Sequence, residues 1–194
     1  MRLYIGLVHF PVYNKNEQRI ASAVTPVDLH DLARIARTYG VRKLLVITPL
    51  KDQHGLVDRI CDHWKFGFGA SYNPQRKEAI ELVSVASSLE DGVERIHATE
   101  GVTPFVLATD ARKQNDNTLS FPDARAMIRQ DRVVLLLFGT AWGLDQEVLQ
   151  GSNAVLEPVM GADGYNHLPV RAAAAIILDR LVGTKTDIVR ELNG

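Results

Sequence analysis

Cysteine is almost absent: the 194 residues hold one, Cys61. A single thiol excludes an internal disulfide and a multi-cysteine zinc centre, and the count fits a reducing cytoplasm. An excess of either charge is also lacking, with 22 Lys and Arg against 23 Asp and Glu and a formal net charge of −1. A domain that grips nucleic acid over a whole face is ordinarily basic, so any such contact has to come from local patches or from a groove between two copies. No apolar run reaches the roughly 18 residues that suggest a membrane span. Met1–His9 is short, carries Arg2 and leads into Phe10–Pro11 without a small-residue cleavage site, so a first strand is expected there rather than a signal peptide. His-Glu-x-x-His and paired metal-ligand spacings are missing, which argues against metal chemistry. Gly-x-Ser-x-Gly, Gly-x-Gly-x-x-Gly and a Walker loop are missing too, which removes the hydrolase elbow, the dinucleotide fingerprint and the P-loop.

What remains is an ordinary globular balance, 46% hydrophobic and 23% charged, which argues against disorder. The length fits one domain, 1–194, with about 184–194 a dispensable tail. Apolar runs bounded by turn residues predict strands at Leu3–Val8, Lys43–Thr48, Glu81–Ala86, Pro104–Thr109, Arg132–Phe138 and Ala154–Glu157. Between them, helical periodicity or capping predicts helices over 26–39, 55–65, 89–98, 121–130, 145–150 and 170–182. Thr25-Pro26 with Asp28 opens the first, and Gly40 ends it. Residues 11–25 lack a period and read as a long loop. Cys61 lies in an apolar pattern with Val57, Ile60 and Trp64, a core position. This alternation predicts an α/β fold with a mostly parallel sheet and helices on both faces.

In such a sheet ligands sit at the carboxyl ends of the strands. Three ends are unusual here. Ala108-Thr109-Asp110-Ala111-Arg112 follows one strand. Phe138-Gly139-Thr140-Ala141-Trp142-Gly143-Leu144 follows another, its two glycines allowing close backbone approach to a ligand or simply a tight turn. Glu157-Pro158-Val159-Met160-Gly161 follows a third, and Tyr165-Asn166-His167-Leu168-Pro169 then leads into Arg171 and four alanines. Asn166 or His167 is placed to cap that helix. His9, His30, His54, His63 and His97 are scattered and carry no evident role.

Together these segments resemble the SPOUT superfamily of RNA methyltransferases, in which a Phe-Gly-rich strand end and an Asn-containing segment opening an alanine-rich helix recur. The likeness is closer to a bacterial group carrying Phe-Gly-Thr-x-Trp-Gly-Leu and Tyr-Asn-His-Leu-x-Val-Arg, and it covers nearly the whole chain. The resemblance implies a C-terminal trefoil knot, S-adenosyl-L-methionine as cofactor, RNA (tRNA or rRNA) as substrate, a cytoplasmic homodimer, and an interface including the alanine-rich helix and Trp142. It implies a cofactor site built from Ala108, Thr109, Phe138, Gly139, Thr140, Trp142, Gly143, Glu157, Pro158, Asn166, His167 and Leu168. Within it adenine would lie against Thr109, Glu157 and Leu168. The family's first-helix motif, an arginine six residues before a glycine with a polar residue three before it, falls on Arg34, Gly40 and Asp31, and assigns Arg34 and Asp31 to catalysis. Candidates for a base are Asp31, Asp110 and His167. Relatives often carry a glutamate where this chain has Thr140-Ala141-Trp142 and a serine where it has Pro169, departures that bear on the acceptor more than on the cofactor. Two other readings stay open: a cofactor-binding sensor or assembly protein without transfer activity, and an ordinary Rossmann-type nucleotide enzyme.

Overall fold

The computed structural model describes residues 1–114, 117–163 and 165–183; the expected tail, 184–194, lies outside the described residues. Seven strands form one sheet: β1 (Leu3–Val8), β4 (Leu44–Ile47), β5 (Val83–Ala86), β6 (Phe105–Thr109), β7 (Thr118–Leu119), β8 (Val134–Gly139) and β9 (Ala154–Leu156). Their order is β5-β4-β1-β8-β6-β9-β7, and every neighbouring pair is parallel. β2 (Val12–Tyr13) and β3 (Arg19–Ile20) make a separate antiparallel hairpin.

The central strands β1 and β8 are buried along their length except at Gly139. Alternation divides their side chains between two cores. Leu3, Ile5, Leu7, Val134, Leu136 and Phe138 face one core, shared with Leu29, Leu32, Ala33 and Ala36 of α1 (Pro26–Thr38) and Ala174 and Leu178 of α8 (Val170–Val182). Tyr4, Val8, Leu135 and Leu137 face the other, with Ile96 of α5 (Leu89–Glu100) and Val148 and Leu149 of α7 (Gln146–Gly151). Full burial of each leucine stabilises by about 1.5–3 kcal/mol relative to exposure. α1 starts where expected: the Thr25 hydroxyl accepts the Asp28 N–H at 3.1 Å. It ends before Gly40, which holds φ +67°. Cys61 is buried, and desolvation pushes its thiol pKa up, as befits a packing residue.

β1 is followed outward by β4 and β5, whereas β6, β7 and β9 lie beyond β8. The chain therefore reverses direction across the sheet between β1 and β8, and the crevice at their carboxyl ends is the topological switch point.

Four local expectations are corrected. The 11–25 loop contains the β2–β3 hairpin. α2 spans Lys51–Lys65, starting earlier than expected because its first turn is polar and Leu50 provides no side-chain cap. Two short helices, α3 (Phe68–Tyr72) and α4 (Pro74–Ile80), fill the interval before β5. Pro169, not Asn166 or His167, stands at the start of α8, with no side-chain cap. The remaining helix, α6 (Phe121–Arg129), follows the short edge strand β7.

Candidate functional site

β8, β6 and β9 lie side by side in that order, so their carboxyl-end loops are neighbours. The loop after β8 folds back on its own strand. A Cβ at Gly139 would stand 2.6 Å from the Leu144 nitrogen and 2.9 Å from the Gly143 carbonyl carbon, so only glycine fits. The turn is completed by Ala141 at φ +52° and Gly143 at φ +104°. Nothing lies within 4 Å of a Cβ built on Gly143, which leaves one side of the turn open.

The β2–β3 hairpin braces this loop. Trp142 N–H donates to the Tyr13 carbonyl at 3.0 Å, and Tyr13 N–H to the Gly143 carbonyl at 3.1 Å. Arg19 holds the buried Asp145 with two hydrogen bonds, 2.9 and 3.0 Å. Asp145 also accepts the Glu147 N–H at 2.7 Å, capping α7. The Arg19 guanidinium, with that N–H, holds the Asp145 carboxyl below the usual carboxylate range. Asp145→Ala is expected to lower stability by about 2 kcal/mol, combining a lost cap with a partly screened ion pair. Urea denaturation at neutral pH measures this, and a midpoint equal to wild type would show that the brace carries no load.

After β6, Ala108 is buried in the strand, and the Thr109 hydroxyl donates to the Leu137 carbonyl at 2.8 Å. Asp110 accepts from the Arg112 N–H at 3.0 Å and from Gln114 Nε2 at 2.6 Å. After β9, Glu157 accepts the Phe121 N–H at 2.6 Å. Pro158 continues the loop, and at Gly161 a Cβ would run into the Tyr165 carbonyl. Asn166 Nδ2 donates to the Ala111 carbonyl at 2.5 Å, joining the third loop to the first. Tyr165 and His167 meet edge-on, ring centroids 5.4 Å apart. Trp142 and Met160 are each 64% exposed, and Tyr165 and Leu168 are exposed too, so these loops carry unusual apolar surface.

Several side chains named from the sequence are therefore committed within the protein. The Thr109 hydroxyl and the Glu157 carboxylate already have partners, Phe138 is buried in the core, and what these positions offer a ligand is backbone. Thr140 turns toward β1. Its hydroxyl donates to the Val8 carbonyl at 2.9 Å and lies 2.5 Å from the Ser22 hydroxyl.

Behind Thr140 stands a residue to which the sequence assigns no role. His9 follows β1 at the switch point and is fully buried, its Nδ1 2.9 Å from Ser22 Oγ. The Ser22 hydroxyl also lies within reach of the His9 carbonyl, at 3.5 Å. Among the described residues Nε2 has no hydrogen-bond partner. Burial lowers the His9 pKa to about 4. The position directly after an apolar strand was the available signal.

Arg34 and Asp31 lie elsewhere, in a groove of about 490 Å³ between α1 and α8. Arg171 reaches Asp31 at 2.7 Å and Asp28 at 3.1 Å. Because Arg171 opens α8 right after Asn166–Pro169, the groove borders the third loop.

A family described as SAM-dependent RNA methyltransferase matches residues 2–183. A tRNA (guanine-N(1)-)-methyltransferase of Oleidesulfovibrio alaskensis is 44% identical over 181 residues, 93% of this chain but 42% of that one; the chain thus spans about two fifths of that curated relative. An uncharacterised protein of Aquifex aeolicus is 37% identical over 180 residues, 92% of this chain and 87% of that one. Among solved structures, TrmJ from Z. mobilis ZM4 superposes with a TM-score of 0.60 at 16% identity, covering 93% of this chain and 68% of that one. The SpoU methyltransferase AviRb from Streptomyces viridochromogenes, solved with AdoMet, gives 0.55 at 17% identity, covering 92% and 58%. At such identities the structural likeness speaks for the fold, which is that of the SpoU-type methyltransferases. The family match runs from the first strand to the end of the last helix, and a relative of nearly the same length shares more than a third of its residues: the chain belongs to the SAM-dependent RNA methyltransferase family.

Proposed function

We propose that the three strand-end loops hold S-adenosylmethionine and that the chain transfers its methyl group to a nucleotide of tRNA or rRNA. The observation that carries this reading is the glycine-floored turn after β8, open at Gly143 and set among exposed apolar side chains. An adenosyl group with a sulfur-bearing tail needs apolar cover, backbone hydrogen-bonding groups and little fixed positive charge. Two of the three loops, residues 139–144 and 157–168, contain no Lys or Arg, and in the loop after β6 Arg112 faces Asp110 at 3.5 Å, which suits a ligand that is itself a sulfonium cation. When bound, the cofactor supplies an electrophilic methyl group. Gly139, Thr140 and Gly143 would approach it through backbone, Trp142 and Leu168 would shield it, and Asn166 and His167 would close the third loop over it. Ala108, Thr109, Phe138, Glu157 and Pro158 would form the wall behind.

The same reading makes the chain a single cytoplasmic domain with a knotted C-terminal half. It also makes the chain a homodimer with the alanine-rich α8 and Trp142 at the interface, where small Ala172 and Ala175 permit close approach. Arg34 in the α1–α8 groove would grip the acceptor phosphate, its planar fork suiting an oxyanion. Among the candidate bases, Asp31 and Asp110 already accept hydrogen bonds, and His167 lies in the cofactor loop itself. Guanine N1 of tRNA is the first acceptor to test, being the one in the names of longer relatives. The missing glutamate in the β8 loop favours a second reading, cofactor binding without transfer.

Titration with S-adenosylhomocysteine and methyl incorporation into bulk tRNA and rRNA separate the two. Wild type is expected to bind in the micromolar range, on the order of −8 kcal/mol. Arg34→Ala should keep that affinity within about twofold while lowering methyl transfer by at least tenfold, about 1.4 kcal/mol in the barrier. Binding with no transfer to either RNA would establish the second reading, and no binding would sink both.

A further inference from the structure

Residues 63–77 are compositionally unlike the rest of the chain. They carry Lys65, Arg76 and Lys77; Asp62 and Glu78 stand on either side, and Lys77 lies 4.0 Å from Glu81. They also hold one of the two tryptophans, one of the five tyrosines and two of the six phenylalanines.

The structure builds this segment, which runs from the end of α2 through α3 into α4, around Trp64. His30 and His63 meet the indole edge-on at 5.4 and 5.2 Å, and the Arg76 guanidinium lies 4.7 Å from its ring centre. Gly69 brings α3 down onto the indole, since a Cβ there would stand 2.6 Å from it. With Trp64 filling the inner side, Phe66, Phe68 and Tyr72 are left outside at 83%, 74% and 73% exposure. Phe68 and Tyr72 are stacked, with centroids 5.7 Å apart and planes 25° from parallel. Three large rings on a pinned base, facing water, contribute nothing to the core.

We propose that this surface is a stacking platform for unpaired bases of the RNA substrate, with the phosphate backbone running past Lys65 and Lys77. The proposal rests on the reading of the chain as an RNA methyltransferase. Every base has a π face, so exposed aromatic rings beside cations bind single strands with little sequence preference. A second copy of this chain is disfavoured as the occupant because the pairing proposed above already uses α8, on another part of the molecule. α2 begins just past the carboxyl end of β4 and runs 15 residues. At 1.5 Å per residue that is about 22 Å, so the platform lies at the far end of the sheet from the cofactor loops. It supplies affinity to an extended strand, not chemistry.

The test compares wild type with the triple variant Phe66→Ala, Phe68→Ala, Tyr72→Ala, using fluorescence anisotropy with a labelled oligouridylate and methyl transfer to bulk RNA. The triple variant should bind oligouridylate at least tenfold more weakly and show a raised KM with kcat unchanged. Its affinity for S-adenosylhomocysteine should equal wild type, which certifies the fold. Lys65→Ala with Lys77→Ala should flatten the salt dependence of binding. Equal oligouridylate affinity and equal KM in the triple variant would overturn the platform while leaving the methyltransferase reading intact. Conversion of a dimer to a monomer by the triple substitution would overturn it in favour of a copy-to-copy interface. A wild type that neither binds nor methylates RNA removes the RNA reading, and the platform with it.

Discussion

Gly139→Val is expected to abolish measurable binding of S-adenosylhomocysteine and to lower stability by about 3 kcal/mol. The obstruction is internal. A side chain at 139 meets the Leu144 nitrogen and the Gly143 backbone, and backbone atoms cannot rotate aside as the tip of a flexible side chain can. The turn must open, and the hydrogen bonds joining Trp142 and Gly143 to Tyr13 go with it. Two companions calibrate the result. Gly143→Ala meets no neighbour within 4 Å and bears only the strain of φ +104°, so a smaller loss is expected, roughly 1–2 kcal/mol. Ala141→Gly relieves φ +52° and should leave both stability and binding near wild type. Calorimetric titration and urea denaturation on all three give the ranking. A Gly139→Val protein that binds with wild-type affinity would place the cofactor somewhere other than this loop.

Acidification is expected to cost wild type about 3 kcal/mol more than His9→Gln between pH 7 and pH 4. The sign follows from burial. The folded imidazole titrates at about 4, below the roughly 6.5 of an unfolded chain. Between those values the unfolded chain binds the extra proton, so the stability contributed by neutral His9 is full above about pH 6.5, declines through the window and is spent below about 4. The Asp28 carboxylate opposes the shift and is outweighed by desolvation. Carboxylates add their own slope at the acid end, which is why the comparison with His9→Gln isolates the imidazole. Denaturation midpoints at half-unit pH steps check it. Parallel curves for the two proteins would mean that His9 is protonated without penalty and that its surroundings are wetter than the packing suggests.

The scaffold was readable because its signals are local and strong. Apolar runs such as Arg132–Phe138, short and β-branched at their start, read as strands buried on both faces, and Thr25-Pro26 with Gly40 brackets α1 by cap chemistry. The β2–β3 hairpin was unreadable because its strands are two residues long and its anchors, Gly143 and Asp145, lie more than a hundred residues away. α3 escaped because its apolar residues point to solvent, so the periodicity that normally reports a core carried no such message. The candidate site is named from the sequence as a set of loops, and the sequence does not show which of their side chains the fold engages. Thr109, Glu157 and Thr140 are consumed by hydrogen bonds to Leu137, Phe121 and Val8, partners that only the folded register supplies. His9 looked like one histidine among six until the sheet enclosed it, and Asp31 looked unengaged until α8 brought Arg171 to it.

β8 is the sixth strand of the parallel sheet to be synthesised, yet it sits fourth, between β1 and β6. A nascent chain that stops short of Val134 therefore has one half-sheet, β5-β4-β1, while β6 and β7 lack β8 and β9, the strands they pair with. β1 and β6 then present open backbone edges, and every apolar side chain meant to pack on Leu135, Leu136 and Leu137 faces water. Such edges invite pairing with other chains. Translation has to carry the ribosome past β8 before the molecule can close. Expression at low temperature, or with a holdase chaperone that shields strand edges, should therefore raise the yield of folded protein more than any change to its surface.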